Sequence, residues 1–293
     1  MTCRNGPASN GPWEAMRVER NLALDAPPLA FVELPGVRMA YREWGRSDAA
    51  EAVVLIHGIT SSSLSWVRVG PALGRHARVI AVDLKGHGDS DRPPAGYRIQ
   101  DQAAEVAALC EVLGLRQPAV IGHSWGGAIA LVLATSTDRV SRLVLEDPAI
   151  DQRRRTPEQR AQTREDYAAT VGLDYEAALA LARANLALGW TEQDVAGKAD
   201  AAMKGSPAAV RAVFDENEPW DFRDRLVELR CPTLLLLAEP ERGGIVSSEA
   251  VARARANPRI QVATVPGADH NIHRTRYGAF LAAVEAFLAP AAD

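Results

Sequence analysis

Cysteine is scarce in this chain. The three cysteines, Cys3, Cys110 and Cys231, are an odd number, and their spacing matches no metal-ligand motif. Cys110 and Cys231 lie in apolar runs, where a thiol behaves as a small hydrophobic side chain. We therefore expect all three to be reduced. No cluster of other ligand residues indicates a metal ion, so none is expected.

Long apolar runs are also absent. No stretch of about 18 apolar residues occurs, and the first 30 residues lack the charged start and apolar centre of a secretion signal. The formal net charge of -4 comes without a basic stripe that would bind a nucleic-acid backbone or an anionic membrane. These absences predict a cytoplasmic protein that has neither nucleic acid nor a membrane as a partner. They leave open whether it is a monomer or a homodimer.

The chain does contain a regular alternation of short apolar runs with helix-length segments. Apolar residues make up 47% of the 293 residues, which is enough for a substantial core. Such runs are typical of strands covered on both faces, and their alternation predicts a largely parallel sheet with helices on either side. The expected strands are residues 29–34 and 37–44, which form an opening hairpin, and then 52–57, 79–83, 118–121, 143–146, 233–238 and 260–265.

One stretch in this pattern carries a chemical signature. Residues 122–126 read Gly-His-Ser-Trp-Gly, the pattern G-x-S-x-G, between an expected strand and an Ala-rich helical segment. In that context the pattern indicates a sharp strand-to-helix turn that exposes the serine hydroxyl, and the glycines permit a close backbone approach. The helix N-terminus adds free N–H groups suited to an oxyanion. Ser124 is therefore the candidate nucleophile.

Ser124, followed along the chain by acidic residues and then a histidine, resembles the nucleophile of the α/β-hydrolase superfamily. The resemblance is to capped serine esterases, lactonases and C–C hydrolases, and it covers about residue 30 to the end. It implies a mostly parallel sheet flanked by helices, with a helical cap inserted after the sixth strand. We expect the hydrolase core at 29–150 and 222–293, the cap at 151–221, and a flexible N-terminal extension at 1–28.

Two loops beyond the strands resemble further motifs of this superfamily. His57-Gly58 resembles its oxyanion loop, which implies that the backbone N–H groups of Ile59 and Trp125 form the oxyanion hole. Residues 265–270 resemble its G-x-x-H loop, which implies that His270 is the base, with His273 as the fallback. The glycine-rich residues 83–90 resemble a structural loop of the family. They match neither a phosphate-binding loop nor a dinucleotide fingerprint, so no cofactor is expected.

The acid that orients the histidine is open among three residues. In the usual family arrangement it follows the penultimate strand, where Glu239 comes first and Glu241 matches a more general spacing. Asp147 is the third candidate, because some relatives take their acid from the position after the sixth strand. Glu239 is preferred here, and Asp147 is interpreted as a structural residue at the start of the cap.

Together these residues imply a serine hydrolase that cleaves a small carboxylic ester or lactone with an apolar moiety. Trp66, Trp190 and His273 are the candidate substrate-binding residues. A C–C bond hydrolase of ring-cleavage products shares the triad and is the alternative, favoured if dienoates react much faster than simple esters. A ligand sensor built on the hydrolase fold ranks below both. Near-zero turnover with ligand-dependent stabilisation would favour the sensor.

Overall fold

The computed structural model describes residues 24–153 and 155–289, and one sheet runs through this part of the chain. Its strands are β1 (Ala30–Leu34), β2 (Val37–Trp44), β3 (Ala52–Ile56), β4 (Arg78–Val82), β5 (Ala119–His123), β6 (Leu143–Glu146), β7 (Thr233–Leu237) and β8 (Ile260–Thr264). They lie in the order β1-β2-β4-β3-β5-β6-β7-β8. β1 and β2 form an antiparallel hairpin, β2 pairs antiparallel with β4, and every later pairing is parallel.

The observed sheet confirms the predicted fold class. Every expected strand is present, and its ends differ from the prediction by two residues at most. The inner strands carry apolar side chains towards both faces, which is why their sequences show continuous apolar runs instead of alternation. In β3, Val54 and Ile56 belong to the apolar cluster on one face, whereas Val53 and Leu55 belong to the cluster on the other.

Helices cover both faces of the sheet. On one face α2 (Ile99–Val112) and α3 (Trp125–Ser136) bury apolar side chains, and on the other α1 (Val69–Leu73) and the C-terminal helix do so. The remaining helices are α4 (Pro157–Ala168), α5 (Tyr175–Arg183), α6 (Glu192–Lys204), α7 (Pro207–Asn217), α8 (Arg225–Glu228), α9 (Ser248–Ala256), α10 (Ile272–Thr275) and α11 (Tyr277–Leu288), the C-terminal helix. Within the two described ranges, no helix has both the length and the hydropathy needed to cross a bilayer.

Helices α4 to α8 lie between β6 and β7, and α4 to α7 fall within residues 151–221, where the sequence pattern predicts the cap. Their starts follow local rules: Thr156 and Gln159 form a reciprocal capping box at α4, and Thr191 and Asp194 form another at α6. α5 ends at Arg183 and is followed by a short 3-10 turn, Leu186–Leu188.

A third apolar cluster joins α5 and α6 to the body of the protein. It contains Tyr175 and Val195 from these helices together with Leu64 and Val67, which precede α1. Leu24 is buried in the same cluster. Leu24 belongs to the expected flexible extension, residues 1–28, but is packed against the body of the protein. Residues 1–23 lie outside the described ranges.

Candidate active site

The turn between β5 and α3 has the geometry that its sequence predicts. Ser124 has φ +53° and ψ −118°, a conformation that L-residues rarely adopt, and it is only 3% exposed. A Cβ on Gly126 would overlap the carbonyl oxygens of Ile56 and His57, and a Cβ on Gly122 would overlap the carbonyl of Gly126. The two glycines therefore allow α3 to start directly against β3 and β5, with the serine at the apex of the turn.

Three side chains from separate strand ends form a continuous hydrogen-bonded chain. His270, in the loop after β8, lies with Nε2 2.9 Å from Ser124 Oγ. Its Nδ1 lies 2.6 Å from Oδ2 of Asp147, the residue that follows β6. The Asp147 carboxylate is 1% exposed, and the backbone N–H of Ile245 also donates to Oδ2, at 3.1 Å. A proton can therefore pass from Ser124 to His270 while Asp147 holds the imidazole in one orientation.

The position of the acid corrects the preference for Glu239. Among the hydrogen bonds of the described residues, none joins the side chain of Glu239 or Glu241 to His270, and Glu241 is exposed. β6 is the direct neighbour of β5, with Glu146 opposite His123, so the next residues, Asp147 and Ser124, lie side by side. β7 is one strand further away. The sequence does mark Asp147 by its position directly after a buried strand, but the same position also fits a structural residue at the start of the cap.

The backbone N–H groups of Ile59 and Trp125 belong to residues that flank Ser124 in the site. Neither group has a hydrogen-bond acceptor among the described residues, and both residues line the cavity that contains Ser124. Gly58 allows this approach, because a Cβ there would lie 3.1 Å from Ser124 Cβ. The geometry thus brings together the two residues expected to form an oxyanion hole.

Buried histidines hold the loops of the site in place. His57 Nδ1 donates to the Gly58 carbonyl at 2.7 Å, and its Nε2 accepts from the Leu84 N–H at 3.0 Å, so the ring is a neutral tautomer that fixes the oxyanion loop. Burial lowers the pKa of His57 to about 4, which keeps it neutral. His123 Nε2 lies 2.9 Å from the His270 carbonyl and donates to it, fixing the loop of the base.

Two cavities meet at Ser124, between the carboxyl edge of the sheet and helices α4 to α7. The first, which we call the aromatic lobe, has a volume of about 340 Å³ and is lined by residues including Ile59, Trp125, Tyr167, Phe214 and Trp220. The second, which we call the basic lobe, has a volume of about 260 Å³ and is lined by residues including Thr60, His270, Trp190, Lys198 and Arg274. Ligands of parallel α/β sheets bind at this edge.

Of the three expected substrate-binding residues, the structure brings only Trp190 to these cavities. Trp66 and His273 are buried and line neither lobe, which corrects that expectation. Trp66 stacks against His273 and Phe280 in the core, with ring centroids 4.6 and 6.4 Å away. The sequence pattern missed Lys198 and Arg274, because each looks like an ordinary surface charge.

His273 instead belongs to a buried polar network. Its Nδ1 donates to Glu146 at 2.8 Å, and its Nε2 lies 3.0 Å from Ser65 Oγ. Burial raises the pKa of Glu146 to about 7 and lowers that of His273. Within the described residues, His123, Glu146 and His273 are the one group of three whose ligand atoms lie close enough to hold a metal ion. Both ring nitrogens of His273 are already hydrogen bonded, so the arrangement serves as an internal network.

Comparison with known proteins identifies the family. Residues 51–273 match the family model described as the alpha/beta hydrolase fold. Over 264 residues the chain is 31% identical to N-formylmaleamate deformylase of Pseudomonas putida, covering 88% of this chain and 95% of the relative.

Solved structures give the same result for the fold. The crystal structure of E-2-(acetamidomethylene)succinate hydrolase matches with a TM-score of 0.76 and 25% identity, over 89% of this chain and 98% of the other. The enol-lactonase of Burkholderia xenovorans LB400 matches with a TM-score of 0.73 and 24% identity, over 88% of this chain and 99% of the other. The chain therefore belongs to the α/β-hydrolase fold family, and it is a hydrolase.

Proposed function

We propose that this protein is a serine hydrolase that cleaves a carboxylic ester or lactone through an acyl-enzyme. The observation that carries the proposal is the chain of hydrogen bonds from Ser124 through His270 to Asp147. Ser124 lines a cavity together with Ile59 and Trp125, whose backbone N–H groups have no acceptor among the described residues. A nucleophile, a base with its orienting acid, and an oxyanion site are the parts that acyl transfer needs.

Each part has a defined role in the proposed mechanism. Ser124 Oγ attacks the substrate carbonyl while its proton passes to His270 Nε2, and the N–H groups of Ile59 and Trp125 receive the oxyanion. Asp147 accepts the Nδ1–H of His270 and stabilises the imidazolium. His270 then protonates the leaving alkoxide, which in a lactone stays attached to the acyl group. Water activated by the same histidine finally releases the acid.

The aromatic lobe is evidence that part of the substrate is apolar. The ring centroids of Trp125 and Trp220 lie 5.1 Å apart, those of Phe214 and Trp220 lie 5.7 Å apart, and those of Tyr167 and Phe214 lie 5.9 Å apart. These rings form a continuous apolar wall beside Ser124, suited to an acyl chain or ring.

Covalent labelling tests the assignment of the nucleophile. A fluorophosphonate should add one adduct to the wild type at Ser124, and Ser124→Ala should lose both the adduct and the release of p-nitrophenol from butyrate esters. Ser65→Ala is the matched control, because Ser65 is another serine hydrogen bonded to a histidine but lies outside both lobes. That variant should keep the adduct. An adduct that persists in Ser124→Ala would refute the proposal.

A second candidate function is hydrolysis of an N-acyl bond, favoured by the relative whose name describes removal of a formyl group. The chemistry differs only in the leaving group, because His270 would protonate a nitrogen. Comparison of kcat/KM for an acyl ester, the lactone of the same acid and the matching N-acyl amide separates these functions. Adding a vinylogous dienoate to the panel tests the C–C hydrolase alternative. The substrate class with the highest kcat/KM identifies the activity.

A further inference from the structure

The basic lobe contains a buried guanidinium that forms no ion pair with a carboxylate of the described residues. Arg274 is 4% exposed, and its Nη2 donates to Ser65 Oγ at 2.9 Å. Its other side-chain contacts, to Ser61 Oγ and Asn271 Oδ1, are 3.5 Å long. Its Nε is buried and has no hydrogen-bond acceptor. One face of the guanidinium lies 4.2 Å from the ring centroid of Trp190.

A second cation lines the same lobe without an acidic partner. Lys198 Nζ donates to the carbonyl oxygen of Thr60 at 2.8 Å and lies 3.1 Å from Thr60 Oγ1. Among the described residues, no carboxylate forms an ion pair with either Lys198 or Arg274. Other sheltered cations do have one: Lys204, on the same helix as Lys198, pairs with Asp200 at 3.0 Å. A buried cation that lacks an acid carries an uncompensated desolvation cost, which a bound anion would offset.

The electrostatics of the lobe agree with this geometry. Burial, and to a smaller degree the nearby Arg274, lowers the pKa of Lys198 to about 7. Burial lowers the pKa of Arg274 to about 10, although Asp194, Glu146 and Asp269 act in the opposite direction. An anion between the two groups would favour the charged form of both.

Arg274 is held rigidly beside the base. It lies on α10, four residues after His270, and both residues line the lobe with Ser124. Because a guanidinium only donates, Ser65 Oγ accepts from Arg274 and donates to Nε2 of His273. The Nδ1–H of His273 in turn donates to Glu146. The cation is thus fixed at a set distance from the nucleophile, as a specificity site requires.

We propose that the substrate carries a carboxylate a few bonds from the scissile carbonyl, and that Lys198 and Arg274 bind this carboxylate in the basic lobe. The inference rests on the proposed acyl transfer at Ser124. Arg274 can offer guanidinium N–H groups and Lys198 its ammonium group to the two carboxylate oxygens. The volume of about 260 Å³ suits a short carboxylated group, with the apolar remainder in the aromatic lobe.

Matched esters test the inference. We expect a preference for the charged compound in at least one of two pairs. The wild type should hydrolyse p-nitrophenyl hemiglutarate or 4-acetoxybenzoate with a higher kcat/KM than it hydrolyses the methyl ester that removes the charge of that compound. The first compound carries its carboxylate on the acyl side and the second on the leaving group. Lys198→Met and Arg274→Gln should each lower the ratio of kcat/KM for the carboxylated ester to that for the neutral ester by about 10- to 100-fold, mainly through the KM of the carboxylated ester.

Control variants separate local recognition from general charge effects. Lys198→Arg should keep most of the preference, and Arg183→Gln, which removes an exposed charge from the neighbouring helix α5, should leave it unchanged. Circular dichroism and thermal unfolding check that each variant is folded. If Arg274→Gln does not fold, Lys198→Met decides the result. Equal kcat/KM for charged and neutral esters, with Ser124-dependent hydrolysis of both, would overturn the inference and leave the proposed function intact.

A binding measurement is independent of turnover. Calorimetry with glutarate should show binding to wild type and to Ser124→Ala, and at least 10-fold weaker binding to Lys198→Met. If no hydrolysis depends on Ser124 while glutarate binding still requires Lys198, the proposed function is refuted but the anion site is supported. Equal glutarate affinity in wild type and Lys198→Met would refute the site itself.

Discussion

Replacing Asp147 with asparagine tests which acid serves His270. The carboxylate oxygen 2.6 Å from His270 Nδ1 can only accept, so the imidazole keeps its proton on Nδ1 and leaves Nε2 free to accept from Ser124. In Asp147→Asn the amide oxygen can take the Oδ2 position and accept from both the Ile245 N–H and the Nδ1–H of His270, but it carries no negative charge. The imidazolium that forms when His270 takes the serine proton then has no carboxylate to stabilise it.

The expected loss is large because the positive charge on His270 then develops without its carboxylate partner. The equivalent change in serine proteases lowers kcat by about 10⁴-fold, which corresponds to about 5.4 kcal/mol of transition-state stabilisation. We expect a loss of up to this order in kcat/KM for p-nitrophenyl butyrate at neutral pH, with the free energy of unfolding measured in parallel. Glu239→Gln and Glu241→Gln are the matched controls and should lose less than about 3-fold. A loss in Glu239→Gln as large as that in Asp147→Asn would refute this assignment.

Three further predictions concern stability, pH and specificity. Gly126→Ala should cost about 3 kcal/mol or more in urea unfolding, because its Cβ overlaps the Ile56 carbonyl, whereas Gly278→Ala, with open space around it, should not destabilise the protein. Burial, aided by His57, lowers the pKa of His87 to about 3 from the usual 6.5, so between these values the unfolded chain binds a proton that the folded one does not. The stabilisation from a neutral His87 is therefore complete above pH 6.5. It is lost as the pH falls, by up to about 1.4 kcal/mol per pH unit. His87→Gln should reduce the slope of the unfolding free energy against pH by that amount between pH 4 and 6, and an unchanged slope would contradict this prediction. Trp220→Ala enlarges the aromatic lobe and should shift the preferred p-nitrophenyl ester from butyrate towards octanoate, while an unchanged order would show that acyl chains bind elsewhere.

The sequence was sufficient for the sheet and for two parts of the site. Continuous apolar runs locate buried strands, and the G-x-S-x-G turn and the loop of His270 are local patterns whose geometry depends on a few neighbouring residues. The acid cannot be identified from a local pattern, because β6 and β7 both end at the same edge of the sheet and both are followed by acidic residues. Only the strand order, with β6 next to β5, decides that Asp147 lies beside Ser124.

The basic lobe could not be predicted for a related reason. Lys198 and Arg274 are 76 residues apart in sequence, and neither lies in a motif that indicates a binding site. They meet because α6 packs closely against the segment before α1, where a Cβ on Gly197 would lie 2.9 Å from the Leu64 carbonyl. One sequence signal was available: Arg274 lies only four residues after His270, which keeps it close to the base along the chain.

Backbone strain connects the two halves of the site. The positive-φ residues other than glycine in the described ranges are Thr60, Ser124 and Asp147, at +60°, +53° and +38°. Each costs conformational energy that a looser chain would avoid, most clearly the β-branched Thr60. In the proposed mechanism Ser124 is the nucleophile and Asp147 binds the base, and the carbonyl of Thr60 accepts from Lys198. Thr60 directly follows Ile59, so one strained residue connects the oxyanion loop to the Lys198 ammonium. This connection fits a reaction in which Lys198 and Ser124 act on one carboxylated substrate.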